Sequence, residues 1–144
     1  MQLTEHFRID EFLKSGTAIS LKIDNSLPES LLFNLRRLAE LMEEVRKTCG
    51  NHPIYINSGY RCEELNRAVG GSASSAHKIG LAADFDFGGN VLLIDAVNAI
   101  FAAKLDFDQL IIYDYHLHIS TGGYLRRQYI DRRTRTKTIN EQFL

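Results

Sequence analysis

Cysteine is scarce in this chain: Cys49 and Cys62 are its two, and they form no C-x-x-C pair. That excludes a disulfide-stapled scaffold, and two free thiols are expected although each residue borders the same expected strand. Long apolar runs are missing as well. No stretch reaches the roughly 18 residues of a membrane-spanning helix, so no integral membrane segment is expected. Charge of one sign is also lacking. The 17 basic and 18 acidic residues leave a formal net charge of −1, which excludes a global field for nucleic acid or an anionic membrane. Residues Met1 to Phe7 hold no basic segment followed by an apolar one, so synthesis in the cytoplasm is expected. Internal repeats, low-complexity tracts and linkers are absent. The run Gly70-Gly71-Ser72-Ala73-Ser74-Ser75 lacks the G-x-x-x-x-G-K-[ST] order of a nucleotide phosphate cradle.

What is present is an ordinary globular composition, 44% apolar and 24% charged over 144 residues. One domain spanning 1–144 is expected, large enough to bury a genuine core, and the chain is expected to act as a monomer. Phe7 to Phe12 reads as a short opening helix stopped by Ser15-Gly16. From Glu29 to Thr48, Leu31, Leu35, Leu38, Leu41, Met42 and Val45 recur at helical spacing, with Pro28 suited to the first turn and Gly50 to the stop. His52 to Gly59 reads as a half-buried strand, Glu63 to Val69 as a short helix and Leu81 to Phe87 as a strand. Val91 to Lys104 is a second amphipathic helix. Gln109 to Tyr113 is a strand that His116 to Ser120 continues or pairs, and Tyr124 to Ile130 supplies an edge. Helices flanking a mostly antiparallel sheet make an α+β fold. Arg126, Arg127, Arg132, Arg133, Arg135 and Lys137 give the last segment, 121–144, a basic strand or tail. A solvated face is the expected reading, and attraction to an anionic polymer such as a bacterial cell wall is the alternative.

The chemistry concentrates in two segments. Ser74 to Asp84 carries His77 and Asp84, separated by residues that include Gly80, Ala82 and Ala83, and His116-Leu117-His118 follows downstream. Small residues let the backbone bend and bring His77 and Asp84 to one point. Strand alternation sends His116 and His118 to one face and Leu117 to the core. Imidazoles and a carboxylate on converging segments are the donor set of a catalytic zinc site, which keeps one tetrahedral position open. His6 and His52, by contrast, read as structural or surface residues.

These residues carry a family resemblance. Ser58-Gly59-Tyr60-Arg61, Leu65-Asn66, Val69-Gly70-Gly71-Ser72 and the S-x-H-x-x-G-x-A-x-D motif of Ser75 to Asp84 resemble the zinc D-alanyl-D-alanine carboxypeptidases. So do Phe107 to Ile111 and His116 to Ser120. The likeness is strongest to the compact, phage-associated peptidoglycan hydrolases, and it runs from about Phe7 to Ser120. It implies a Hedgehog/DD-peptidase-like fold, with zinc held by His77, Asp84 and His118. It implies that Arg61 binds the substrate carboxylate or the developing oxyanion, and that His116 acts near the scissile bond. The implied substrate is a peptidoglycan stem peptide, and the implied agent a phage-type lysin released to the wall. Many relatives carry a glutamate three residues before the last zinc histidine, where this chain has Tyr115. Asp114 is expected, by strand alternation, to share the face of His116 and His118 and so to stand in as the base, with a turn carboxylate as the alternative. Asp86 is expected to be a hydrogen-bonded structural group or an orienter of a zinc histidine. The competing expectation is a catalytically weak or inactive zinc-stabilised domain that binds wall or protein.

Overall fold

A computed structural model of the chain describes residues 1–134. Its element order is α1 (Ile9–Leu13), α2 (Gly16–Leu21), α3 (Leu32–Thr48), β1 (Tyr55–Ser58), α4 (Glu63–Ala68), β2 (Ala82–Asp86), α5 (Leu93–Ala102), β3 (Gln109–Ile112), β4 (Leu117–Ser120) and β5 (Gln128–Asp131). Short 3-10 turns at Glu29–Leu31 and Ala76–Ile79 precede α3 and β2.

The long helix is where the periodicity places it. Its buried positions, Leu35, Leu38, Ala39, Leu41, Met42 and Val45, form one stripe, and Arg46 and Lys47 sit in the last turn, where cations suit the helix dipole. Helix α2 departs from expectation. The opening helix stops at Leu13, just ahead of Ser15-Gly16 as expected, but the Ser15 side chain accepts from the Ala18 backbone N–H at 3.1 Å and starts a second helix. A serine that can close a turn can also cap the N-terminus of the next helix, and only the following residues decide which.

The sheet has strand order β1-β2-β4-β3-β5. The three pairings from β1 to β3 are antiparallel, and β5 joins β3 in parallel at the edge. The sheet is therefore mostly antiparallel, as expected, and the expected edge strand forms. Alternation sorts its two faces. Ile56, Ala83, Phe85, Leu110, Ile112, Leu117 and Ile119 point into the core with the buried stripe of α3 and with Ala96, Val97 and Ile100 of α5. The opposite residues of the central strands, Asp84, His118 and Ile111, face the other way, towards the 3-10 turn and its preceding loop.

Among the described residues, Arg126, Arg127 and Arg133 do not form a bare cationic stripe. Arg126 grips Asp108 with two hydrogen bonds, Arg133 grips Asp131, and the Arg127 guanidinium lies over Phe101 and Phe107. Arg135 and Lys137, with the rest of 135–144, lie outside the described residues. Cys49 and Cys62 are both free thiols, as expected.

Candidate metal centre

Three elements bring the site together. Asp84 and His118 are direct cross-strand partners on β2 and β4, and that register places their side chains about 5 Å apart at Cβ. His77 comes from the 3-10 turn Ala76–Ile79. The Ser75 hydroxyl caps that turn by accepting from the His77 N–H at 3.2 Å, and Gly80, at φ 74°, closes it in the left-handed region. The turn lies over β2, so His77 Nε2 comes within 3.3 Å of Asp84 Oδ1, while His118 Nδ1 approaches the same oxygen at 2.8 Å. One donor atom from each of the three lies within 4.8 Å of the others.

The hydrogen bonds identify which nitrogen of His77 is available. Its Nδ1 lies 2.6 Å from the Gly59 carbonyl. A carbonyl only accepts, so Nδ1 carries the proton and Nε2 presents a lone pair. That lone pair faces a carboxylate oxygen 3.3 Å away. Two acceptors so disposed call for a positive centre between them, a metal ion or, without one, a proton. Donors bound at zinc distances of about 2.0–2.1 Å and a tetrahedral angle stand about 3.3 Å apart, close to the spacing found. Burial works to raise the pKa of Asp84. The hydrogen bond from His118, with that from His77 when a proton rather than a metal sits at its Nε2, and the charges of the protonated rings outweigh it and hold the carboxyl well below the ordinary carboxylate range. The residues present fit a divalent cation of borderline softness.

Arg61 forms the adjoining wall. Its Nε donates to Ser58 Oγ at 3.0 Å, and its terminal nitrogens donate to Asn66 Oδ1 and Asp84 Oδ2, each at 3.3 Å. Asn66, 1% exposed, also donates to the Ser72 carbonyl and so ties Arg61 to the glycine-rich loop. Buried Asn25 holds the segment from the other side, donating to the Leu13 and Tyr60 carbonyls and accepting from the Cys62 N–H. Burial lowers the pKa of Arg61, while the charges of Asp84 and Tyr113 oppose that shift. A guanidinium remains protonated at neutral pH regardless.

A cleft of about 540 Å³ opens over these groups, and His116, Tyr113, Asp108 and Arg126 also line it. Arg61, His77, Asp84, His116 and His118 therefore meet in one place. Asp114 does not. It faces a neighbouring cleft with Asp86 and Tyr115, and its carboxylate accepts from the backbone N–H and hydroxyl of Thr134. The expected alternation fails there because β4 begins only at Leu117, so Asp114 lies in the turn after β3. Asp86 accepts from Asn57 and from the Gly88 N–H, the structural role expected of it. Ser58, Asn66 and Tyr113 join the site unexpectedly: Ser58 and Asn66 stand inside the family-like segments, but nothing there marks a contact with Arg61, and Tyr113 reads from the sequence as a core or rim aromatic.

A family model described as Peptidase M15 matches residues 5–120. The chain belongs to the peptidase M15 family. M15 peptidases are zinc-dependent, which agrees with the donor set already described. The matched segment contains the M15 cleft's Arg61, His77, Asp84, His116 and His118, and it ends before β5 and Arg126. No curated protein matches the chain.

Proposed function

We propose that this M15 peptidase hydrolyses a D-amino-acid-containing bond in the stem peptide of bacterial peptidoglycan, as a carboxypeptidase or an endopeptidase. The observation that carries the reading is the convergence of His77, Asp84 and His118 in a cleft walled by Arg61. A zinc ion held by those three residues would supply a Lewis acid for the peptide carbonyl and a water nucleophile at neutral pH. The protein groups around it have separable tasks. Asp84 neutralises part of the cation's charge, and the Gly59 carbonyl keeps His77 in the tautomer that offers Nε2. Three of the five N–H groups of Arg61 are engaged by Ser58, Asn66 and Asp84. The two that remain can meet a substrate carboxylate or the oxyanion that develops at the scissile carbonyl.

Proton transfer falls to His116. The carboxylates lining the cleft are Asp84, committed to the metal set, and Asp108, held by Arg126. Asp114 is turned away, so the substitute-base role passes to an imidazole. His116 takes a proton from the attacking water or gives one to the leaving amine. Among the described residues no fourth His, Cys, Asp or Glu joins the three-residue set, which supports an open catalytic site over a closed structural one.

Tyr115 favours one competing reading. It is 73% exposed and lines the neighbouring cleft, so nothing at that position serves as a base. A weakly active or inactive zinc-stabilised domain that binds the wall would look the same. Zinc-loaded protein incubated with purified stem peptides separates the two by mass spectrometry. Paired fragments whose masses sum to substrate plus water are expected. Peptides that stay intact while zinc is bound would sink the catalytic reading and leave the binding one.

A further inference from the structure

We propose that Tyr113 is a positioning residue for His116, its ring serving as the platform that holds the imidazole over the metal-binding set. This rests on the peptidase reading above for its effect on rate, though the contact stands without it. The two rings are stacked, with centroids 4.6 Å apart and planes 16° from parallel. The backbone makes that contact: the Tyr113 N–H donates to the His116 carbonyl at 3.0 Å and closes the four-residue turn between β3 and β4. Both side chains thereby emerge together into the cleft that holds His77, Asp84 and His118.

His116 needs such a platform. It precedes Leu117, the first residue of β4, so the turn bond to Tyr113 holds its backbone but leaves its imidazole to be placed by side-chain contacts. Among the described residues no hydrogen bond restrains its imidazole. His77 is pinned by Gly59 and His118 by Asp84, but His116 is held by its face. Tyr113 is itself well placed to be rigid. It lines the metal cleft on one side and the neighbouring cleft on the other, forming the partition between them, and it follows directly on the buried β3 residue Ile112. Tyr113, Arg61 and His116 line the same cleft, so the ring stands between the anion-binding wall and the proton-transfer group. A misplacement of about 1 Å in a reacting group can lower a rate about 100-fold, so a loose imidazole would affect turnover more than binding.

Four variants and one spectrum test this: Y113F, Y113L, H116A and the Y113L/H116A double variant. Y113L is expected to lower kcat about tenfold to a hundredfold with KM and zinc content little changed. Y113F, which keeps the ring, is expected to retain most of the rate. The double variant is expected to be no slower than H116A, because the platform acts only through the histidine. Independent losses in the double variant, or Y113F as slow as Y113L, would overturn the assignment. The spectrum is proton NMR of the unaltered zinc-loaded protein, in which the His116 imidazole signals, identified by their loss in H116A, should lie upfield from the tyrosine ring current. Signals at their ordinary positions refute the stack even if Y113L fails to fold. Should the protein cleave no stem peptide yet show the upfield signals, the peptidase reading fails and the contact survives.

Discussion

Asp84→Asn is the sharpest perturbation of the metal-binding set, because it keeps shape and removes charge. One carboxylate oxygen serves both histidines, at 2.8 and 3.3 Å, and the other accepts from Arg61 at 3.3 Å. An asparagine has one oxygen and one amide NH2. Whichever way it turns, a donor faces either Arg61 or the imidazole that donated before. Hydrogen bonds to charged groups contribute about 1.5–3 kcal/mol each, and Arg61, 15% exposed at its side chain, loses its counter-ion. The metal-free variant should therefore be less stable by about 3–5 kcal/mol, close to the loss when one partner of a buried pair is removed. For zinc the effect is larger in kind. Removing a group that merely orients a ligand weakens metal binding about 10–100-fold, and removing a charged ligand should exceed about 100-fold. Urea unfolding of the metal-free proteins measures the first quantity, and competition with a chromogenic chelator the second. A variant that binds zinc as tightly as the parent would refute the assignment of Asp84 as a ligand.

The remaining predictions concern pH, the loop, the core and a thiol. Asp84 has a folded pKa depressed below its ordinary 3.8, so its stabilisation is present above that value and is lost as pH falls towards the depressed one. The stability gap between the metal-free parent and D84N, followed by denaturation at each pH, should therefore narrow below about pH 4. A Cβ on Gly71 would overlap Asn66 Oδ1 and lie 3.0 Å from an Arg61 nitrogen. G71A should lower stability by about 1–3 kcal/mol and reduce kcat/KM while zinc content, read by elemental analysis, stays stoichiometric. Phe85 is wholly buried between sheet and helices, so Phe85→Ala should cost about 3–5 kcal/mol in chemical denaturation. Burial pushes the Cys49 thiol up to about 11. Alkylation of Cys49, followed by peptide mass mapping, should be slow in folded protein at mildly alkaline pH and fast in denaturant.

Much of the site could be read along the chain because its parts are local. The S-x-H-x-x-G-x-A-x-D motif puts His77 and Asp84 on a turn and the strand it enters, and both positions follow from residues within ten of each other. The stripe of α3 is equally local, since 3.6-residue periodicity is a property of one helix. Asp114 shows where local rules stop. Alternation assigns a face only within a strand, and whether 114 belongs to the strand depends on which residues of β3 and β4 pair across the sheet. Ser15 shows the same limit at a helix boundary.

The residue order by itself determined the donor types, the arginine, the apolar stripes and strands, and hence an α+β chain with metal-binding capacity. These follow from short-range chemistry that any segment carries with it. Only the folded molecule decided that Asn66 and Ser58 would hold Arg61, that Tyr113 would lie flat against His116, and that Asp114 would turn to Thr134. The first three of these contacts join residues three to five positions apart, the last twenty. Each depends on turn geometry and strand register, which are set by packing the whole sheet against its helices.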